Sequence, residues 1–196
     1  MTGVENQSIQ DIFKISIYKK LLPLNNKEIE NYCLEIKNKD KGRVKTNVGG
    51  WQSNDLLGSH KILNDLFISI VDNANQFSKY LNFKNKVSLN NIWININSYK
   101  DFNKVHCHPD SLISGVYYVK TPENCGNINF VNNNNDLLYN CWSVKKFNDY
   151  NSYNSPEWFM PSLEKHLYLF PSWLNHYVEP NMNEKENRIS ISFNLL

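Results

Sequence analysis

The sequence is short of the features that would assign it to several large classes. Alanine and glycine are scarce while Asn and Lys abound, a bias that reads as AT-rich coding and carries no function. The four cysteines, Cys33, Cys107, Cys125 and Cys141, include no CxxC pair. That spacing, in a reducing compartment, leaves free thiols. No apolar run approaches the roughly 20 residues that span a bilayer. The N-terminal MTGVENQSIQDIF lacks the basic start and apolar core of a signal peptide, so a cytoplasmic protein without membrane attachment is expected. The net charge is only +2. Lys and Arg are scattered rather than clustered, so a nucleic-acid partner is not expected. Internal repeats and domain boundaries are also absent, and one domain over 1–196 is expected.

What is present points to a packed β-rich fold. With 41% hydrophobic and 13% aromatic residues the chain can bury a full core. Residues 12–22 alternate as a strand does. Ile29, Tyr32, Cys33 and Ile36 fall at helical spacing behind Asn25 or Asn26 as the cap. Two glycines in NVGGWQ predict a bend that sets Trp51 against something large. A second helix over 61–81 carries Ile62, Leu63, Leu66, Phe67, Ile70, Val71, Ala74, Phe77 and Leu81 on one stripe. From residue 86 the period changes to two. Seven or eight short strands follow, around residues 91–97, 105–108, 111–120, 126–132, 166–170, 176–180 and 188–196. The pattern predicts a mainly β jelly roll with the two N-terminal helices packed on one sheet. Residues 132–165 are polar, aromatic-rich and weakly periodic, and are read as a lid or an insertion.

Three histidines and an arginine carry the chemistry. His106 and His108 are two apart, which on a strand puts both imidazoles on one face and turns Cys107 away. A third imidazole is available at His176. The literal HxD of His108-Pro109-Asp110 offers Asp110 as an alternative ligand, though Pro109 bends the chain there. Imidazole alone does not select among iron, zinc and copper. In the last strand Arg188, Ser190, Ser192 and Asn194 share one face and Ile189, Ile191, Phe193 and Leu195 the other. If the polar face lines a lumen, Arg188 is a buried cation that needs an anion, and its planar fork suits a carboxylate. If the strand is an edge, that face is merely solvated. Spacing does not choose between them.

The segments NVGGWQSNDLL (47–57), NIWININ (91–97), HCHPDSLISGVYYV (106–119), LFPSWLNHYVEPN (169–181) and RISISFN (188–194) together resemble the 2-oxoglutarate/Fe(II)-dependent oxygenases of marine bacteria and their phages. A phage gene would place the product in the host cytoplasm. The resemblance implies a double-stranded β-helix, with Fe(II), 2-oxoglutarate and O2 as cofactor and co-substrates. It implies His106 and His176 as iron ligands, with His108 where the family usually has Asp or Glu. It implies Arg188 and Ser190 on the distal carboxylate of 2-oxoglutarate, with Asn95 and Tyr117 or Tyr118 in reach of the same pocket. A histidine in the carboxylate's place leaves no room for halide, which disfavours halogenation. The expected activity is hydroxylation of a small-molecule or peptidyl substrate. The competing reading is a cupin-like barrel that binds a metal or small ligand without oxygenase chemistry. A homodimer through the first strand or an exposed sheet face is left open.

Overall fold

A computed structural model describes residues 8–56, 60–142 and 146–196. Two antiparallel sheets face each other. The larger has the order β1 (Tyr18–Leu21), β9 (His166–Pro171), β6 (Ile113–Lys120), β11 (Arg188–Leu195), β4 (Leu89–Asn97), β3 (Trp51–Gln52). The smaller has β2 (Asn47–Val48), β5 (Phe102–His106), β10 (His176–Val178), β7 (Ile128–Val131), β8 (Glu157–Met160). Early and late strands interleave in both, the topology of a double-stranded β-helix.

The helices cover the outside of the larger sheet. On α2 (Asn64–Tyr80), Leu66, Ile70, Ala74 and Phe77 recur at i, i+4, i+8 and i+11 and are buried. Each large one contributes about 1.5–3 kcal/mol by leaving water. They pack on Ile92, Ile94 and Ile96 of β4 and on Ile189, Ile191, Phe193 and Leu195 of β11. Alternation then turns the other faces of β4 and β11 toward the smaller sheet. On α1 (Asn26–Lys39) the N-cap is Asn25, whose side chain makes no capping bond. Asn26 is instead buried in the seam. Its Nδ2 donates to the Val119 carbonyl at 2.6 Å and its Oδ1 accepts from the Tyr117 hydroxyl.

Three sequence expectations change. The first strand is only Tyr18–Leu21, because β9 offers it four partners; Ile12 and Phe13 are exposed. Segment 132–165 is not wholly irregular. It contains α3 (Asn135–Cys141) and then β8, which pairs with β7 at the edge of the smaller sheet; its residues 143–145 lie outside the described residues. The β5 strand ends at His106, so His108 is positioned by a loop and not by the strand.

The Gly-Gly bend does more than seat Trp51. Gly49 and Gly50 have φ of 63° and 60°, and they carry the chain from β2 in one sheet to β3 in the other. A Cβ on Gly50 would meet Asn97 Nδ2 at 2.9 Å. Gly50→Ala should therefore cost about 2 kcal/mol in backbone strain alone. At this chain length that is a fall in Tm of roughly 4–8 °C, readable by thermal melting.

Candidate active site

His106 and His176 are direct partners in the β5–β10 ladder, with Phe130 of β7 opposite His176 on its other side. Side chains at paired positions stand about 5 Å apart, and the two ring centroids are 4.3 Å apart. His108 joins them from the loop after β5, where its backbone N–H donates to the Ser172 carbonyl at 2.9 Å. Its ring lies 5.0 Å from His106, 5.1 Å from His176 and 5.8 Å from Trp93. One nitrogen from each of the three lies within 4.8 Å of the others. Among the described residues this is the one cluster of three metal-ligating side chains of this kind.

The tautomers are set by the backbone. A carbonyl oxygen only accepts, so His106 Nδ1 donates to Lys104 (2.7 Å) and His176 Nδ1 to Leu174 (2.9 Å). In each neutral ring that leaves the Nε2 lone pair for a metal. Burial holds all three rings below the usual histidine pKa. His108 falls to about 4 and His176 to about 3, both pushed further by a neighbouring imidazole, and His106 is lowered as well. Three neutral nitrogen donors in one place, already deprotonated near neutral pH, are what a transition-metal ion requires. Asp110 is not among them. It is exposed, at φ 62°, on the turn where Pro109 takes the chain away from the site.

A cavity of about 410 Å³ opens between the sheets beside this cluster. Its volume falls in the range of small-molecule sites. Arg188, Ser190, Ser192 and Asn194 all line it, so the polar face of β11 points into the lumen and not into water. Arg188 is 1% exposed. Its Nη1 donates to the carbonyls of Cys125 and Glu179 (2.9 Å to the latter), while Nη2 is buried with no partner among the described residues. No carboxylate of the described residues forms an ion pair with it. Desolvation lowers its pKa, opposed by longer-range attraction from groups including Glu179 and Asp101. A buried cation with a vacant donor costs several kcal/mol unless an anion meets it.

Of the other positions, Asn95 lines the cavity, its Nδ2 bonded to Ser192 Oγ and its Oδ1 buried without a donor among the described residues. Tyr118 lines it too. Among the described residues its hydroxyl makes no hydrogen bond of normal geometry, and the Ser162 hydroxyl is a polar group beside it. Tyr117 does not reach the cavity. It is the next residue on β6, so alternation turns it to the helix side, where it bonds Asn26. Cys107 lines the cavity half-buried, since alternation stops with the strand at His106.

Sequence reasoning missed Trp93, Asn91 and Asn97, although the alternation that marks Asn95 marks them equally. It also missed Arg43, Lys45, Gln52 and Asp55, all cavity-lining. Arg43 and Lys45 lie in what reads as a bare connector, Gln52 and Asp55 in the 47–57 segment, and only the Gly-Gly bend between β2 and β3 brings them to the rim. The described residues of 132–165 do not line the cavity.

The family model described as "Putative 2OG-Fe(II) oxygenase" matches residues 91–194. No curated protein matches the sequence. Among solved structures, a prolyl-4-hydroxylase from Pseudomonas putida is similar, with TM-score 0.62 and 11% identity over 91% of each chain. A viral collagen prolyl hydroxylase from Paramecium bursaria Chlorella virus-1, solved with 2OG, has TM-score 0.61 and 12% identity, covering 91% of this chain and 94% of that one. HygX from Streptomyces hygroscopicus, solved with nickel and 2-oxoglutarate, has TM-score 0.60 and 8% identity, covering 92% and 82%. At such identities these likenesses speak for the fold.

Proposed function

Because the chain belongs to the 2OG-Fe(II) oxygenase family, whose members use Fe(II), 2-oxoglutarate and O2, we propose that the cavity is its active site and that it hydroxylates a small-molecule or peptidyl substrate. His106, His108 and His176 hold the iron. Arg188 and Ser190 receive the distal carboxylate of 2-oxoglutarate. The observation that carries this reading is the vacant Nη2 of a buried arginine in the same cavity as three neutral imidazoles.

Bound iron and 2-oxoglutarate supply the oxidising chemistry: one atom of O2 goes into succinate as CO2 leaves, and the other into a substrate C–H bond. The chain's own residues do the binding and the shielding. The carbonyls of Lys104 and Leu174 hold His106 and His176 in the tautomer that ligates. Phe130 and Phe170 pack on His176, at 6.2 and 4.7 Å between ring centroids, and keep water from that side. Arg188, fixed by two backbone carbonyls, presents its free donor where a carboxylate ends. With no carboxylate among the three clustered side chains the ion keeps its full double charge, which favours a dianionic co-substrate.

The test is anaerobic titration of the Fe(II)-loaded protein with 2-oxoglutarate. A visible charge-transfer band should grow and saturate, and admitting oxygen should release succinate. Metal binding without any band would leave a cupin-like metal-binding barrel in place of an oxygenase.

A further inference from the structure

The cavity extends beyond the metal and co-substrate groups to a rim that the chemistry above does not use. Strand register gives the direction. Along β11 and β4 the lining pairs run Arg188/Asn97, Ser190/Asn95, Ser192/Trp93 and Asn194/Asn91. Trp93 is the residue against His108, so the metal face stands level with the third pair. Arg188 lies two pairs away on one side, about 13 Å of strand. Asn91 lies on the other side, and there its Oδ1 is buried without a donor among the described residues.

Arg43 stands over the same tryptophan. Its guanidinium carbon is 5.9 Å from the Trp93 ring centroid, and Nη2 donates to Asp55 Oδ1 at 2.6 Å. Held by a ring and a carboxylate, the guanidinium is fixed in place, yet its Nε is buried with no partner among the described residues. Lys45, also on this wall, is exposed and forms no ion pair among the described residues. The rim thus carries two cations against one anion, an unfilled charged donor and an unfilled acceptor. Leaving such groups unmet costs about 1–3 kcal/mol each. A ligand that meets both recovers that cost.

We propose that this rim is the substrate-docking site and that the substrate carries an anionic group, carboxylate or phosphate. Arg43, with Lys45 beside it, receives the anion. An N–H or O–H of the substrate is donated to Asn91, next to the metal face. Asp55 is a positioning residue that holds Arg43 over Trp93. This rests on the oxygenase reading of the cavity.

The test uses Fe(II)- and 2-oxoglutarate-loaded protein and matched probes: N-acetylalanine against its amide, O-phosphoserine against serine, and acetyl-Ala-Asp-Ala-amide against its Asn counterpart. Succinate release and tryptophan fluorescence are followed for each. At least one anionic probe should half-saturate at a concentration about 10-fold lower than its neutral twin, the worth of one charge-assisted bond. The free and peptide probes separate the two sources of the anion. In Arg43→Gln that preference should shrink to about 3-fold or less, while the Fe(II)/2-oxoglutarate band and Tm stay those of the wild type. Arg43→Lys should restore part of the preference, which a merely structural role for Arg43 would not do. Equal response to the two members of every pair overturns the proposal, as does a preference that survives Arg43→Gln. The wild-type band is recorded first. Its absence would overturn the oxygenase reading itself, and this proposal with it.

Discussion

Arg188→Ala is expected to abolish 2-oxoglutarate-dependent succinate release while leaving metal binding in place. Wild-type Arg188 offers a desolvated charged donor that nothing among the described residues accepts. A hydrogen bond to a charged group contributes about 1.5–3 kcal/mol, more where both partners are charged and water is excluded. Two such bonds lost would weaken 2-oxoglutarate about 100-fold or more. The change should appear in the concentration of 2-oxoglutarate needed to develop the charge-transfer band. The metal end is untouched, because the three histidines belong to β5, its following loop and β10. Arg188→Lys separates charge from shape. It keeps the cation but loses the fork held by the Cys125 and Glu179 carbonyls, so an intermediate affinity is expected. An alanine variant that decarboxylates 2-oxoglutarate like the wild type would refute the role given to Arg188.

His176→Ala is expected to remove the metal site altogether. A lost supporting bond to a metal ligand costs about 10–100-fold in affinity, and removing a ligand should cost more. The ring is 4% exposed between Phe130 and Phe170, so the deletion also opens a void. Stability therefore needs its own control. For the wild type, Fe(II) at 100 times its Kd should add about 2.7 kcal/mol, raising Tm by roughly 5–10 °C. A chelator should reverse that rise. In His176→Ala the metal-dependent rise should vanish, whatever the starting Tm. If the rise persisted at full size, His176 would not be a ligand.

How much of this was legible depended on whether a pattern carries its own partner. The stripe on α2 did, because a helix with one apolar face has one way to bury it. The two faces of β11 could be told apart, but not which way the polar one pointed. Only the pairing of β11 between β4 and β6, with helices behind, turns Arg188 inward. His106 and His176 could be named as candidates from residue type. Their pairing could not be known before the register of β5 and β10. Tyr117 and Tyr118 looked equivalent until β6 was placed, when one fell to the helix side and the other to the lumen. Arg43 had no local signature at all, and Asp55 had only its place in the 47–57 segment. They matter because a Gly-Gly bend moves the chain from one sheet to the other.

The ladder that sets His106 opposite His176 also decides when the site can exist. Its two strands close a loop of about 70 residues, and such long-range pairing forms slowly because its chain entropy is spent before any contact repays it. β11, which brings Arg188, comes later still in the chain. During synthesis, therefore, an emerging polypeptide holds neither a finished metal face nor a finished anion pocket. The site is gated by completion of the fold, and iron uptake becomes a late reporter of correct strand registry. A one-residue slip of β10 would turn His176 to the opposite face. Refolding followed by metal-dependent signal should accordingly lag refolding followed by the helical signal of α1 and α2.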